Sequence, residues 1–260
     1  MPQLLHRIGR KALSVTGLTV QREADPFAGL LAAGLAPRTI LDVGAALGDW
    51  ARAATKAFPD ARLVLVEPLE EFAPMLRTLP GAQVVQAAAA ASPGERTLNV
   101  HADLVGSSLL HEAEGPHVDG VPRTVRVVAL DPLAEELELE PPFLLKLDVQ
   151  GAELDVLAGA TSVVAGSMAV HVEVSFFPFF EGGATFEDVV GALAERGLVV
   201  YDVLGLARRP LDGALAQADL LFVPESSPAR REHAYASPGQ RARQNEEFAA
   251  AIRRRLERGR

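Results

Sequence analysis

The 260-residue sequence contains no cysteine, which excludes disulfides, thiolate zinc sites and a cysteine nucleophile. Such an absence suits a reducing cytoplasm, where we expect the protein to reside. No apolar run approaches the roughly 18 residues that a membrane-spanning helix needs. The opening stretch, MPQLLHRIGRKALSV, lacks a sustained apolar region and a cleavage site, so it is expected to be a surface helix rather than a signal. Positive charge is also in deficit: the formal net charge is -9, which argues against a general partner among nucleic acids or anionic membranes. There are no internal repeats, and His6, His101 and His233 have no metal-ligand spacing.

What is present describes an ordinary globule, with 48% hydrophobic and 23% charged residues. From residue 37 onward, short β-prone runs alternate with helical ones. TILDV, ARLVLVEP, AQVVQAA, FLLKLDV, MAVHVEVS, LVVYDV and ADLLFVP read as strands. The segment ALGDWARAATKAF has helical spacing, with Leu47, Ala51, Ala54 and Phe58 on one side, and EEFAPMLRTL reads as a proline-interrupted helix. AELDVLAGA and TFEDVVGALAERG complete the helical set. The alternation predicts an α/β fold: a mostly parallel, Rossmann-like sheet with helices on both faces. Between residues 92 and 129 the period changes to two, predicting a small β insert around the polar loop GSSLLHEAEGPHVDG. The expected organisation is a helical segment over 1–36, a main domain over 37–224, and a linker with an amphipathic tail over 225–260. That tail carries Phe248, Ile252 and Leu256.

Two constellations carry the chemistry. In ILDVGAALG an acid, Asp42, and two glycines, Gly44 and Gly48, follow a strand directly. Gly44 permits a tight turn, and Gly48 lets the next helix begin close to a ligand. Glu67 ends the second strand, where a carboxylate can accept both hydroxyls of a ribose. The spacing Gly44-Ala-Ala-Leu-Gly48 lacks the third glycine of a dinucleotide fingerprint, and Asp42 would repel a phosphate. A nucleoside bearing an ammonium group and no phosphate, S-adenosylmethionine, fits better than NAD. The expected cofactor-binding set is Asp42, Gly44, Ala45, Gly48, Glu67, Pro68, Ala88 and Asp148.

These segments resemble the FkbM-type S-adenosylmethionine-dependent methyltransferases. The resemblance is carried by ILDVGAALG, LVEP, SSL at 107–109, VVALDPL, LLKLDVQGAELDVLAGA, HVEVSFFPFF and QADLLFV, over roughly residues 38–224. It implies a seven-stranded class I methyltransferase sheet and methyl transfer, usually to oxygen on sugars or secondary metabolites. One departure is Ala46, where the family usually has Asn, so a polar contact to the cofactor is lost or supplied elsewhere.

The second constellation is Lys146, Asp148, Gln150, Glu153, His171 and Glu173. In open α/β sheets ligands sit beyond the carboxyl ends of the strands, where Asp148 falls. His171, Glu173 and Ser175 share a side of their strand by alternation. Methyl transfer to an alcohol needs in-line alignment and removal of a proton, by a positioned base or with help from a metal. Asp148, Glu173 and His171 are the candidate catalytic groups, and Asp148 with Glu173 would be the ligands of a Mg²⁺ ion if one is used. Blander roles stand beside these: an ion pair for Lys146, a hydrogen-bonded core position for His171, and a helix-start role for Glu153. Ser107, Ser108, Gln150 and Phe176 are the candidate acceptor contacts, although SFFPFFEGG also suits a plug over the core. The expected partner is a small-molecule acceptor, with self-association possible. The competing readings are an NAD(P)-dependent oxidoreductase and a non-catalytic nucleoside-binding module.

Overall fold

A computed structural model describes residues 26–258; the helix expected at the start of the chain lies largely outside them. The apolar runs become strands because neighbours satisfy their backbones, on both sides for the five inner strands and on one side for the two at the edges. In chain order these are β1 (Thr39–Val43), β2 (Arg62–Val66), β3 (Ala82–Val85), β7 (Phe143–Leu147), β8 (Ser167–Ser175), β9 (Leu198–Arg208) and β10 (Leu215–Pro224). They form one sheet of order β3-β2-β1-β7-β8-β10-β9. Pairing is parallel except at β10, which runs antiparallel to β8 and β9. This is the mostly parallel seven-stranded α/β sheet that the sequence predicts.

Alternation along the strands supplies two apolar faces. Helices α1 (Ala28–Ala32), α2 (Asp49–Ala57) and α3 (Ala73–Leu76) cover one, where Leu30, Ala51, Ala54 and Leu76 pack against Ile40, Leu63 and Leu144. Helices α4 (Leu130–Glu136), α5 (Glu153–Ala158), α6 (Thr161–Ala165) and α7 (Phe186–Ala194) cover the other. There Leu133, Val156, Val163 and Val189 meet Leu41, Leu145 and Val170. The predicted insert is a second sheet of order β4-β6-β5, built from β4 (Ala88–Ala89), β5 (Gly94–Val100) and β6 (Val121–Val128).

Several elements differ from expectation. Leu47 is exposed because the second helix starts only at Asp49, leaving it in the preceding turn. α3 is a single turn, and α4 and α6 are too short for a 3.6-residue period to stand out in the sequence. β9 runs on past the predicted LVVYDV because β10 continues to supply a ladder partner as far as Arg208. The tail is a 21-residue helix, α8 (Pro238–Arg258), longer than the short one expected; Phe248, Ile252 and Leu256 on it are exposed. Among the described residues no helix is long and apolar enough to cross a membrane.

Candidate functional site

Strand register builds a polar row inside an apolar sheet. Asp42 on β1 pairs with Lys146 on β7, and Lys146 pairs with His171 on β8. All three therefore project from the same face, Asp42 and Lys146 near the carboxyl ends of their strands and His171 midway along the longer β8. Asp42 is fully buried and neither of its oxygens has a hydrogen bond. Lys146 Nζ lies 3.5 Å from Asp42 Oδ1, at ion-pair range, and donates to the Gly44 carbonyl and to Asp148 Oδ2, both at 3.2 Å. Burial raises the Asp42 carboxyl, and Lys146 only partly offsets this. Burial alone would lower the Lys146 ammonium, but Asp42 and Asp148 outweigh it and hold the ammonium above its ordinary range. One cation thus ties two carboxylates and a turn carbonyl together.

The turn after β1 is close-fitting. Gly44 has φ +76°, and a Cβ there would stand 1.9 Å from the Asp148 carbonyl oxygen. Only glycine fits. Gly48, at φ +75°, caps α2 with its Cα against Leu76 and Leu79. Ala46 also takes a left-handed conformation, φ 43°, and donates its N–H to Glu67 Oε2 at 2.8 Å. The second Glu67 oxygen accepts from Leu69 N at 2.9 Å. Burial raises the Glu67 carboxyl in spite of these two donors.

Across the sheet end, the Gln150 side chain joins two carboxylates. Its Nε2 donates to Asp148 Oδ1 at 2.9 Å and to Glu173 Oε2 at 3.0 Å. Gln150 holds a positive φ of 52°, and its carbonyl accepts from Ser108 Oγ at 2.7 Å, which fastens the β5–β6 insert to this turn. Gln217 on β10 donates to the same Glu173 oxygen at 2.7 Å. Burial, then the nearby Asp148 and Asp219, push the Glu173 carboxyl up to about 8. Glu153, in the first turn of α5, is raised to about 7 mainly by burial, against the N–H it accepts from Gly151.

A cavity of about 410 Å³ opens over these groups, within the range of small-molecule sites. Glu67, Asp148 and Glu173 line it, with Gly44, Pro68, Ala88, Ser107 and Gln150. Leu69, Phe72, Leu98 and Leu109 form apolar wall, and the insert adds Asp103, Leu104 and Val105. No lysine or arginine is among the described residues that line it. Other candidates stand off the wall. Asp42 is buried in β1, and Ala45 and Gly48 belong to the turn itself, closed by the Gly48 N–H donating to the Ala45 carbonyl. Ser108 is buried, accepting from Leu110 N while it donates to Gln150. Phe176 stacks on Phe186 with centroids 5.0 Å apart, packed on the core. His171 is bracketed: Trp50 Nε1 donates to its Nδ1 at 2.7 Å, so Nε2 carries the proton shared with Asp219 at 2.9 Å.

Sequence reasoning missed Gln217, Asp219, Asp103 and Trp50. A signal existed for the first two, which are polar at period two within the otherwise apolar QADLLFV. None existed for Asp103, which reaches the cavity only because the insert folds over it. The Mg²⁺ expectation gains no support from the donor set, since the inner oxygens of Asp148 and Glu173 already face amide N–H donors. Among the described residues no group of three His, Asp or Glu side chains is placed to hold a metal ion.

A family model described as the methyltransferase FkbM domain matches residues 42–200. No curated protein matches the sequence. Among solved structures, a methyltransferase FkbM from Methylobacillus flagellatus KT aligns at 13% identity and a TM-score of 0.45, over 70% of this chain and 43% of that one. This chain therefore spans less than half the length of that protein. Magnesium protoporphyrin IX methyltransferase from Synechocystis PCC 6803 aligns at 11% identity and a TM-score of 0.43, over 78% of this chain and 77% of the other. Precorrin-6y C5,15-methyltransferase from Geobacter metallireducens GS-15 does so at 12% and 0.40, over 79% and 90%.

Proposed function

The chain belongs to the FkbM methyltransferase family, and we propose that it binds S-adenosylmethionine in the cavity and methylates a hydroxyl of a sugar or another small metabolite. The observation that carries this reading is the wall itself: carboxylates at the ends of β2, β7 and β8, an apolar side, and no lysine or arginine among the described residues that line it. Such a wall suits a cationic nucleoside and disfavours the pyrophosphate of NAD(P). The glycine turn also fits, because Gly44 leaves no Cβ between β1 and the chain at Asp148.

In this reading Glu67 accepts the ribose hydroxyls. Its two oxygens are already oriented by the Ala46 and Leu69 N–H groups and retain lone pairs for a ligand. Leu69, Phe72 and Ala88 offer apolar surface to the adenine, and Asp148 provides negative charge for the cationic end. Bound there, S-adenosylmethionine would supply an electrophilic methyl group. Glu173 takes the proton from the acceptor hydroxyl, while His171 holds β8, β10 and α2 in register through Trp50 and Asp219. The methyltransferase domain is placed at 37–224, with the flanking segments as additions, and the setting as cytoplasmic. An acidic wall also argues for a neutral or cationic acceptor over a phosphorylated one.

Titration calorimetry tests the reading. S-adenosylmethionine should bind and NAD should not, and Glu67→Ala should weaken the binding at least tenfold, about 1.4 kcal/mol. Binding of NAD with no response to S-adenosylmethionine would favour the oxidoreductase. Cofactor binding without turnover on any hydroxyl acceptor would favour a binding module.

A further inference from the structure

We propose that Gln217, together with Gln150, is a positioning residue that makes Oε1 of Glu173 the atom that takes the acceptor's proton. The proposal rests on the methyl-transfer reading above and deepens it. Gln217 lies on β10, opposite Ser175 of β8, and Gln150 lies in the turn between β7 and α5. Both amides point their Nε2 at one oxygen of Glu173, Oε2, at 2.7 and 3.0 Å. An amide nitrogen donates and cannot accept. A proton on Oε2 would face two N–H groups, so Oε2 is held as the acceptor oxygen whether Glu173 is charged or neutral. The exchangeable proton is left to Oε1, and Glu173 and both glutamines line the cavity.

The surrounding charges set how readily the carboxyl ionises. Asp148 after β7, Asp219 on β10, Glu153 on α5 and Lys146 on β7 shift the carboxyl's affinity for a proton, and His171 on β8 faces Asp219 rather than Glu173. Among the described residues, the two amides are the side chains that donate to it, and both meet the same oxygen. The chemistry balances. The acceptor O–H proton passes to Oε1 and the acceptor oxygen forms the new O–C bond as the S–C bond breaks. A neutral Glu173, a methyl ether and a neutral thioether remain.

The proton can be observed without knowing the acceptor. Infrared difference spectra of the whole protein, taken across the pH range on either side of about 8, should show a protonated-carboxyl C=O band that Glu173→Gln removes. Two donors on the carbonyl oxygen place that band low. Gln217→Leu should move it up in frequency and raise its titration midpoint by about one pH unit, since a hydrogen bond to the charged form is lost. Gln217→Ser, which introduces no apolar group, should do the same and guards against a Leu variant that fails to fold. An unchanged band and midpoint in both folded variants would overturn the proposal. So would a band that survives in Glu173→Gln, because Glu173 would then not hold its proton in this range. If these shifts appear while the wild-type protein takes up no S-adenosylmethionine, the methyl-transfer reading fails and the assignment of the proton to Oε1 stands.

Discussion

At residue scale the site depends on backbone room and on one buried cation. Gly44→Ala would force a Cβ into the Asp148 carbonyl and require a left-handed alanine, so its soluble yield and its cofactor binding should both collapse. Ala46 shows the opposite case, a non-glycine residue already at φ 43°. Asn, usual in the family at this position, tolerates that conformation better. Ala46→Asn should stabilise the protein by about 1 kcal/mol, seen as a Tm rise of roughly 3 °C. Lys146→Met would leave Asp42 and Asp148 facing each other without a cation and should cost about 3–5 kcal/mol in denaturant unfolding. Glu173 gives a proton signal. A cation entering the cavity lowers its pKa from about 8, so S-adenosylmethionine binding near that pH should release protons. Binding enthalpy should then vary with the ionisation enthalpy of the buffer, and Glu173→Gln should abolish that dependence. As a base Glu173 must be ionised, so kcat/KM should rise with pH through about 8.

At the scale of elements, α5 begins with a buried acid that helix-start preferences alone do not explain. The Glu153 carboxyl is raised to about 7 from an ordinary 4.5, so between those values the folded protein holds a proton that the unfolded chain has shed. Its stabilising contribution is complete below about 4.5 and is lost as pH rises through about 7. Glu173 adds the same slope up to about 8. Thermal stability should therefore fall from mildly acid to mildly alkaline pH. Glu153→Gln keeps an acceptor for the Gly151 N–H and should flatten that fall, melting a few degrees above wild type at alkaline pH. An identical slope in the variant would mean that Glu153 ionises normally. Helices α4 and α6 show why some elements escape a sequence reading. Five to seven residues complete fewer than two turns, too few for a period to emerge, and packing on the sheet alone holds them.

At the scale of the whole molecule, the sheet and its insert together enclose the cavity, whereas α8 projects with Phe248, Ile252 and Leu256 exposed. Removal of residues 233–260 should leave Tm and cofactor binding close to those of the full chain, as measured by scanning calorimetry and titration. Methyl transfer, once an acceptor is found, should proceed equally with and without EDTA, because both oxygens of Asp148 and Oε2 of Glu173 are engaged by Lys146, Gln150 and Gln217. The order of the strands and longer helices, the glycine turn, and the positions of Glu67, Asp148 and Glu173 towards strand ends were legible in the chain itself. Apolar periodicity, turn chemistry and strand ends are local properties, and a local pattern writes them directly. What only the folded molecule decided is the division of labour among the polar residues. Register set Asp42, Lys146 and His171 in one row, and His171 became a bracket for Trp50 and Asp219. An insert distant in sequence brought Asp103 and Ser107 to the wall, and Gln217 met Glu173 across two antiparallel strands. Those contacts join residues tens of positions apart, and their geometry exists only after the sheet has closed around them.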